Sequence, residues 1–89
     1  MRIRLLWDDE AIEHIARHHV RPEEVEEVAY DPRSFIVGTR QKRYIVYGQT
    51  GSGRYLKAVV EPLGRGLFYP VTAYEMDEAD RSTYRRRVR

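Results

Sequence analysis

Hydrophobic and polar positions along this chain follow two periods, and the switches between them mark its elements. Over residues 2–7, Ile3, Leu5 and Trp7 share one parity and Arg2, Arg4 and Leu6 the other, which predicts a first strand. From Asp8 the period lengthens. Ala11, Ile12, Ile15, Ala16 and His19 recur at helical spacing and define one face, while Glu13, His14, Arg17 and His18 face elsewhere. Asp8 is placed to accept from the first free N–H groups of that helix, and Asp9 and Glu10 suit its dipole. Pro22 opens a second helix with Glu23 and Glu24 in its first turn. Val25, Val28 and Ala29 form a narrow apolar stripe, and Asp31-Pro32 ends it. The short connection predicts an αα-hairpin lying on a sheet.

Period two returns at residue 33. Phe35 and Val37 alternate with Ser34 and Ile36 up to Gly38. Residues 42–61 are the centre of the chain. Two runs rich in Tyr, Ile and Val flank a turn assigned to Gly48, Gly51, Ser52 and Gly53, which predicts a β-hairpin. Residues 62–66 read as a loop and Leu67 to Tyr74 as the last strand. Asp77, with Asp80 three residues on, caps a final helix. Its apolar groups are few (Ala79, Tyr84 and Val88), so docking rather than propensity must hold it. The order is β-α-α-β-β-β-β-α in one domain spanning residues 1–89. The fold class is α+β, with an antiparallel sheet of four to five strands and helices mainly on one face.

Charge changes this picture more than composition does. Residues 1–30 carry net −4 and residues 31–89 net +6, although the whole 89-residue chain is only +2. Between Arg33 and Arg65 there are seven basic residues and one acid, Glu61, interleaved with Tyr44, Tyr47 and Tyr55. Such a surface suits a polyanion with stackable bases, RNA or single-stranded DNA. It equally describes a solvated sheet face whose long cationic side chains lie over apolar surface. Cysteine is absent, which removes disulfides and thiolate metal sites and suits a reducing compartment such as the cytoplasm. The apolar runs are too short for a membrane span or a signal peptide.

Among chemical motifs, His14 and His18 lie one helical turn apart, but no third ligand follows at a metal-site spacing, so no metal is expected. The Gly48–Gly53 run lacks the Lys-Ser/Thr ending of a phosphate-binding loop. No nucleophile motif is present. RNA cleavage needs none of these, because the substrate's 2′-hydroxyl can attack its own phosphodiester. The protein must then move two protons and stabilise the phosphorane charge. Arg43, Arg54 and Lys57 are the cations available for that, and His18, Tyr69, Tyr74 or Tyr84 the proton-transfer or orienting groups.

The ordered motifs resemble the BrnT family of bacterial type II toxins over residues 6–84. They are Trp7-Asp8, Arg17-His18-His19-Val20, the acidic helix Pro22 to Val28, Asp31-Pro32, Arg43, Gly53-Arg54-Tyr55-Leu56, Thr72-Ala73, and Arg81 to Tyr84. The chain departs from that pattern at His14, where the family has Asn, and at His19, where it has Gly. It departs again at Tyr69 and Tyr74, where arginines are common. The resemblance implies a RelE-like fold and a cytoplasmic, metal-independent ribonuclease toxin without cofactor, arresting translation by cutting RNA, including ribosome-associated mRNA. It implies a DNA-binding antitoxin that covers the basic face and contacts operator DNA, in a hetero-oligomer or with the toxin as a homodimer. Under it, Arg43, Arg54, His18 and Tyr74 are the catalytic candidates. Arg40, Lys42, Lys57, Arg65, Arg81 and Tyr84 are the RNA-binding ones. The same residues also fit a non-catalytic module that binds RNA or the antitoxin.

Overall fold

The computed structural model describes residues 3–88. The elements are β1 (Arg4–Leu5), α1 (Asp9–Ala16), α2 (Pro22–Tyr30), β2 (Phe35–Gly38), β3 (Tyr44–Gln49), β4 (Tyr55–Gly64), β5 (Leu67–Glu75) and α3 (Glu78–Arg87). The order is the predicted one, and the five strands form a single sheet in the order β1-β5-β4-β3-β2. Strands β2 to β5 are an antiparallel meander. The sheet is mixed, however: β1 runs parallel to β5, pairing Arg4 with Leu67 and Leu5 with Phe68. The two-helix crossover between β1 and the meander makes that parallel edge possible. The predicted first strand is observed only as Arg4–Leu5, and Arg2 lies outside the described residues.

Helices α1 and α2 cover one face of the sheet. The core between them is Ile15, Val20, Val25, Val28 and Ala29 against Val46, Leu56, Ala58, Val60 and Ala73. Period two on β3 and β4 selects these residues, because alternate side chains point the same way. Gly48 belongs to this row and not to a turn: a Cβ there would stand 2.8 Å from Val28 Cγ1 and 3.0 Å from the Val28 carbonyl oxygen. Glycine lets α2 approach the sheet at that point. The reversal itself is built by residues 50–54, where the Thr50 N–H donates to the Arg54 carbonyl, the Arg54 N–H donates back to Thr50 Oγ1, and Gly53 takes φ 98°.

The opposite face carries Phe35, Tyr47, Tyr55 and Lys57, and α3 docks there. The Tyr84 ring packs 5.9 Å from Phe35 and 5.8 Å from Tyr55. Asp77 caps α3, accepting from the Asp80 N–H at 2.8 Å. Of residues 62–66, read as a loop, only Arg65 and Gly66 form the turn. Strand β4 continues to Gly64, and the β4–β5 register shifts between Pro62 and Gly64 and between Val59 and Val60. Such irregularities accommodate Pro62 and Pro70, which have no N–H for the ladder.

Candidate functional site

Helix α1 ends in a turn that carries the histidines. The Val20 N–H donates to the Ile15 carbonyl at 3.2 Å and the His19 N–H to the Ala16 carbonyl at 3.0 Å. These are the two bonds of a Schellman motif. Its left-handed position is His19, at φ 60°, where glycine is the usual occupant. Val20 then folds back beside Ile15, and both are buried. The periodicity places His19 on the packed face; the turn instead exposes it and gives its core place to Val20. His18 is also exposed, with its ring centroid 5.6 Å from Tyr74 and 5.9 Å from His14. Among the described residues no three His, Asp or Glu side chains gather as a metal site would require.

Arg54 holds this turn from below. Its Nη1 donates to the His19 carbonyl at 2.9 Å and to Glu24 Oε1 and Oε2 at 2.9 and 2.8 Å, and its Nη2 donates to Glu75 at 3.0 Å. Glu24 is only 7% exposed and also accepts the Arg21 N–H at 3.0 Å. Burial pushes the Glu24 carboxyl up, but the Arg21 N–H and the Arg54 guanidinium outweigh it and hold it below the usual carboxylate range. The hydrogen bonds that Arg54 donates to Glu24 raise its own pKa in turn. Arg54 is therefore a clamp joining the α1–α2 turn to β4 and β5, neutralised by two carboxylates.

Tyr74 lies opposite Lys57 in the β4–β5 ladder, and Lys57 Nζ stands 5.1 Å from the Tyr74 ring centroid. Lys57 Nζ also donates to Asp80 Oδ2 at 2.6 Å. Burial pulls the Lys57 ammonium down, but Asp80 outweighs it and raises the pKa. For Asp80, burial pushes up, while Lys57 and the Asp77 N–H prevail and lower it. Arg81 lies next to Asp80 in α3 and is bonded to Glu78 at 3.1 Å.

Two of the tyrosines lie elsewhere. Tyr84, a predicted RNA contact, is 1% exposed, so it is a core residue and offers no surface to RNA. Burial pushes its hydroxyl pKa up, and the hydroxyl has no hydrogen-bond partner. Tyr69 donates to Asp8 Oδ1 at 3.0 Å, at the start of α1. Burial and that hydrogen bond raise its pKa, which makes it no base near neutrality.

The remaining cations lie at the other end of the sheet. Arg43, just before β3, pairs with Glu61 at 3.4 Å. Arg40 and Lys42 occupy the β2–β3 turn and Arg65 the β4–β5 turn, all three exposed. Strand β3 separates the two ends: six residues at about 3.4 Å each place Arg43 about 20 Å from Arg54. The structure thus brings His18, Tyr74 and Lys57 together, with Arg54 behind them, and leaves Arg43 out. Sequence reasoning did not find Glu24, Glu75 and Asp80, the carboxylates that occupy the cations. The i,i+3 relation of Arg21 to Glu24 signals a helix start, but nothing in the sequence links Glu24 to a residue thirty positions later.

This is a small α+β fold of one meander sheet, a parallel edge strand and two crossover helices. No protein-family model and no curated protein sequence matches the chain. Among solved structures it is similar to the ribonuclease toxin BrnT of Brucella abortus, with a TM-score of 0.68 and 14% identity over 86% of this chain and 100% of that one. The likeness establishes a shared fold.

Proposed function

We propose that the chain is a metal-independent endoribonuclease toxin of a type II pair, with His18, Tyr74 and Lys57 as its reactive group. One observation carries this reading. In a fold shared with a ribonuclease toxin, the exposed His18 lies 5.6 Å from Tyr74, and Lys57 lies 5.1 Å from the same ring. Beyond Phe68, among the described residues, no strand pairs with β5 on its β1 side, so Tyr74 stands at an open edge. An imidazole is the group suited to moving a proton near neutral pH. Lys57, released from Asp80, would meet the charge that grows on the phosphorane. Arg54 positions His18 through the His19 carbonyl rather than touching phosphate. A DNA-binding antitoxin belongs to the same proposal, as the partner that covers the toxin's basic surface.

A second reading is favoured by a specific observation: Arg54 and Lys57, the cations beside His18 and Tyr74, are each already paired with carboxylates of the chain. On that reading the fold binds RNA or its antitoxin without cutting. The experiment is cleavage of RNA by the purified chain in EDTA, with and without ribosomes, beside His18→Ala and Lys57→Ala. Loss of about 10²-fold or more in both variants is expected if they serve proton transfer and charge stabilisation. Full activity in His18→Ala removes it from the chemistry. No cleavage by the natural chain under any of these conditions establishes the binding module.

A further inference from the structure

The β2–β3 and β4–β5 turns lie at the same end of the sheet. β2–β3 ends next to Tyr44, β4–β5 turns at Arg65-Gly66, and the Arg4 N–H of β1 donates to the Gly66 carbonyl at 3.1 Å. This single end therefore presents Arg4, Arg40, Lys42, Arg43 and Arg65. Among the described residues, Glu61 on Arg43 is the one carboxylate in ion-pair contact with any of them. Lys42 and Arg65 sit at φ 60° and 58°, left-handed positions that glycine or asparagine adopts more cheaply. Both are exposed and meet no carboxylate among the described residues, so an external anion can reach them. Between the turns stands Tyr44, 37% exposed, its ring edge-on to Phe68 at 6.2 Å. An aromatic face beside unpaired cations offers a base something to stack on while its phosphates are neutralised, which a paired duplex cannot use.

We infer that this turn end is a second binding site for the phosphate backbone of single-stranded RNA, separate from the His18 group. It deepens the RNA-directed reading above but is independent of cleavage, because it predicts binding whether or not the strand is cut.

The test uses the full chain and fluorescent single-stranded RNA in which every 2′-hydroxyl is replaced by 2′-O-methyl, so that nothing can be cut. Arg40→Gln/Lys42→Asn/Arg65→Asn removes three charges while placing asparagine where the backbone is left-handed. The expected result is at least a tenfold rise in Kd at low salt. The slope of log K against log salt falls by about 2, from about 0.7 per lost phosphate contact on a single strand. Tyr44→Leu weakens binding further. An unaltered Kd and slope in the triple variant, or tighter binding of double-stranded than of single-stranded RNA of equal length, overturns the proposal. Circular dichroism on the same samples confirms the fold. Should the natural chain cut no RNA while the triple variant still loses binding, the catalytic reading fails and this one stands.

Discussion

The two ends of the sheet are both rich in arginine, and they are chemically opposite. At the end near His18, Arg54 makes four hydrogen bonds within the chain and Lys57 one. Both are paired within the chain, Arg54 with Glu24 and Glu75 and Lys57 with Asp80, and these pairs tie the α1–α2 turn and α3 to the sheet. At the turn end, Arg40, Lys42 and Arg65 are exposed on short connections and meet no carboxylate among the described residues. A basic side chain is a binding group only where its neighbours leave it unneutralised and hydrated. In a partly buried setting the same residue is a structural crosslink, because an unpaired charge there is costly.

The largest effect should come from cutting the crosslink. Arg54→Ala leaves Glu24 buried without its guanidinium and frees the His19 carbonyl. A loss of about 2–3 kcal/mol is expected, at the low end for a broken buried pair because Arg54 stays partly exposed. Urea unfolding measures it, and Arg54→Lys should recover only part, since lysine lacks the fork. A loss under 0.5 kcal/mol would erase the distinction between the two ends.

Acid should weaken the same end next. Glu24 and Asp80 have folded pKa values below their unfolded ones, so each contributes stability that is fully present above the unfolded value. That contribution drains away as pH falls from about 4.5, the ordinary glutamate value, through the lower folded values. The urea midpoint should drop over this range, and Glu24→Gln/Asp80→Asn should flatten the drop. A natural chain whose midpoint is flat down to pH 3 would contradict the clamp.

His19→Gly acts in the opposite direction. It relieves the left-handed strain at the end of α1 and should stabilise by about 0.5–1 kcal/mol after the added chain entropy of glycine. Thermal melting reads the gain, and a lower midpoint would mean that the His19 ring makes a contact worth more than the strain. The smallest change is expected at the turn end. Arg40→Gln/Lys42→Asn/Arg65→Asn should stay within about 0.5 kcal/mol of the natural chain, as surface substitutions do. A larger loss would show these cations to be structural after all.

Much of the fold was legible because it rests on local rules. Asp8 and Asp77 cap their helices as their positions require, Pro22 and Asp31-Pro32 bound α2, and alternation on β3 and β4 selects the core row. The misreadings have one physical source, the effect of a distant element. Gly48 reads as a turn residue until α2 is laid across it, and Pro62 to Gly64 read as a loop until β5 pairs with them. Tyr84 reads as a surface group until Phe35 and Tyr55 enclose it.

The candidate site was legible in kind and not in assembly. Sequence by itself determined which residues have useful chemistry, where each sits on its own element, and that the charge is divided between an acidic first third and a basic remainder. Only the tertiary structure decided which cations are occupied and that His18 meets Tyr74 across the edge of β5. Ion pairing depends on three-dimensional distance and burial, and the partners here are separated by 21 to 30 positions along the chain. No local pattern carries that information.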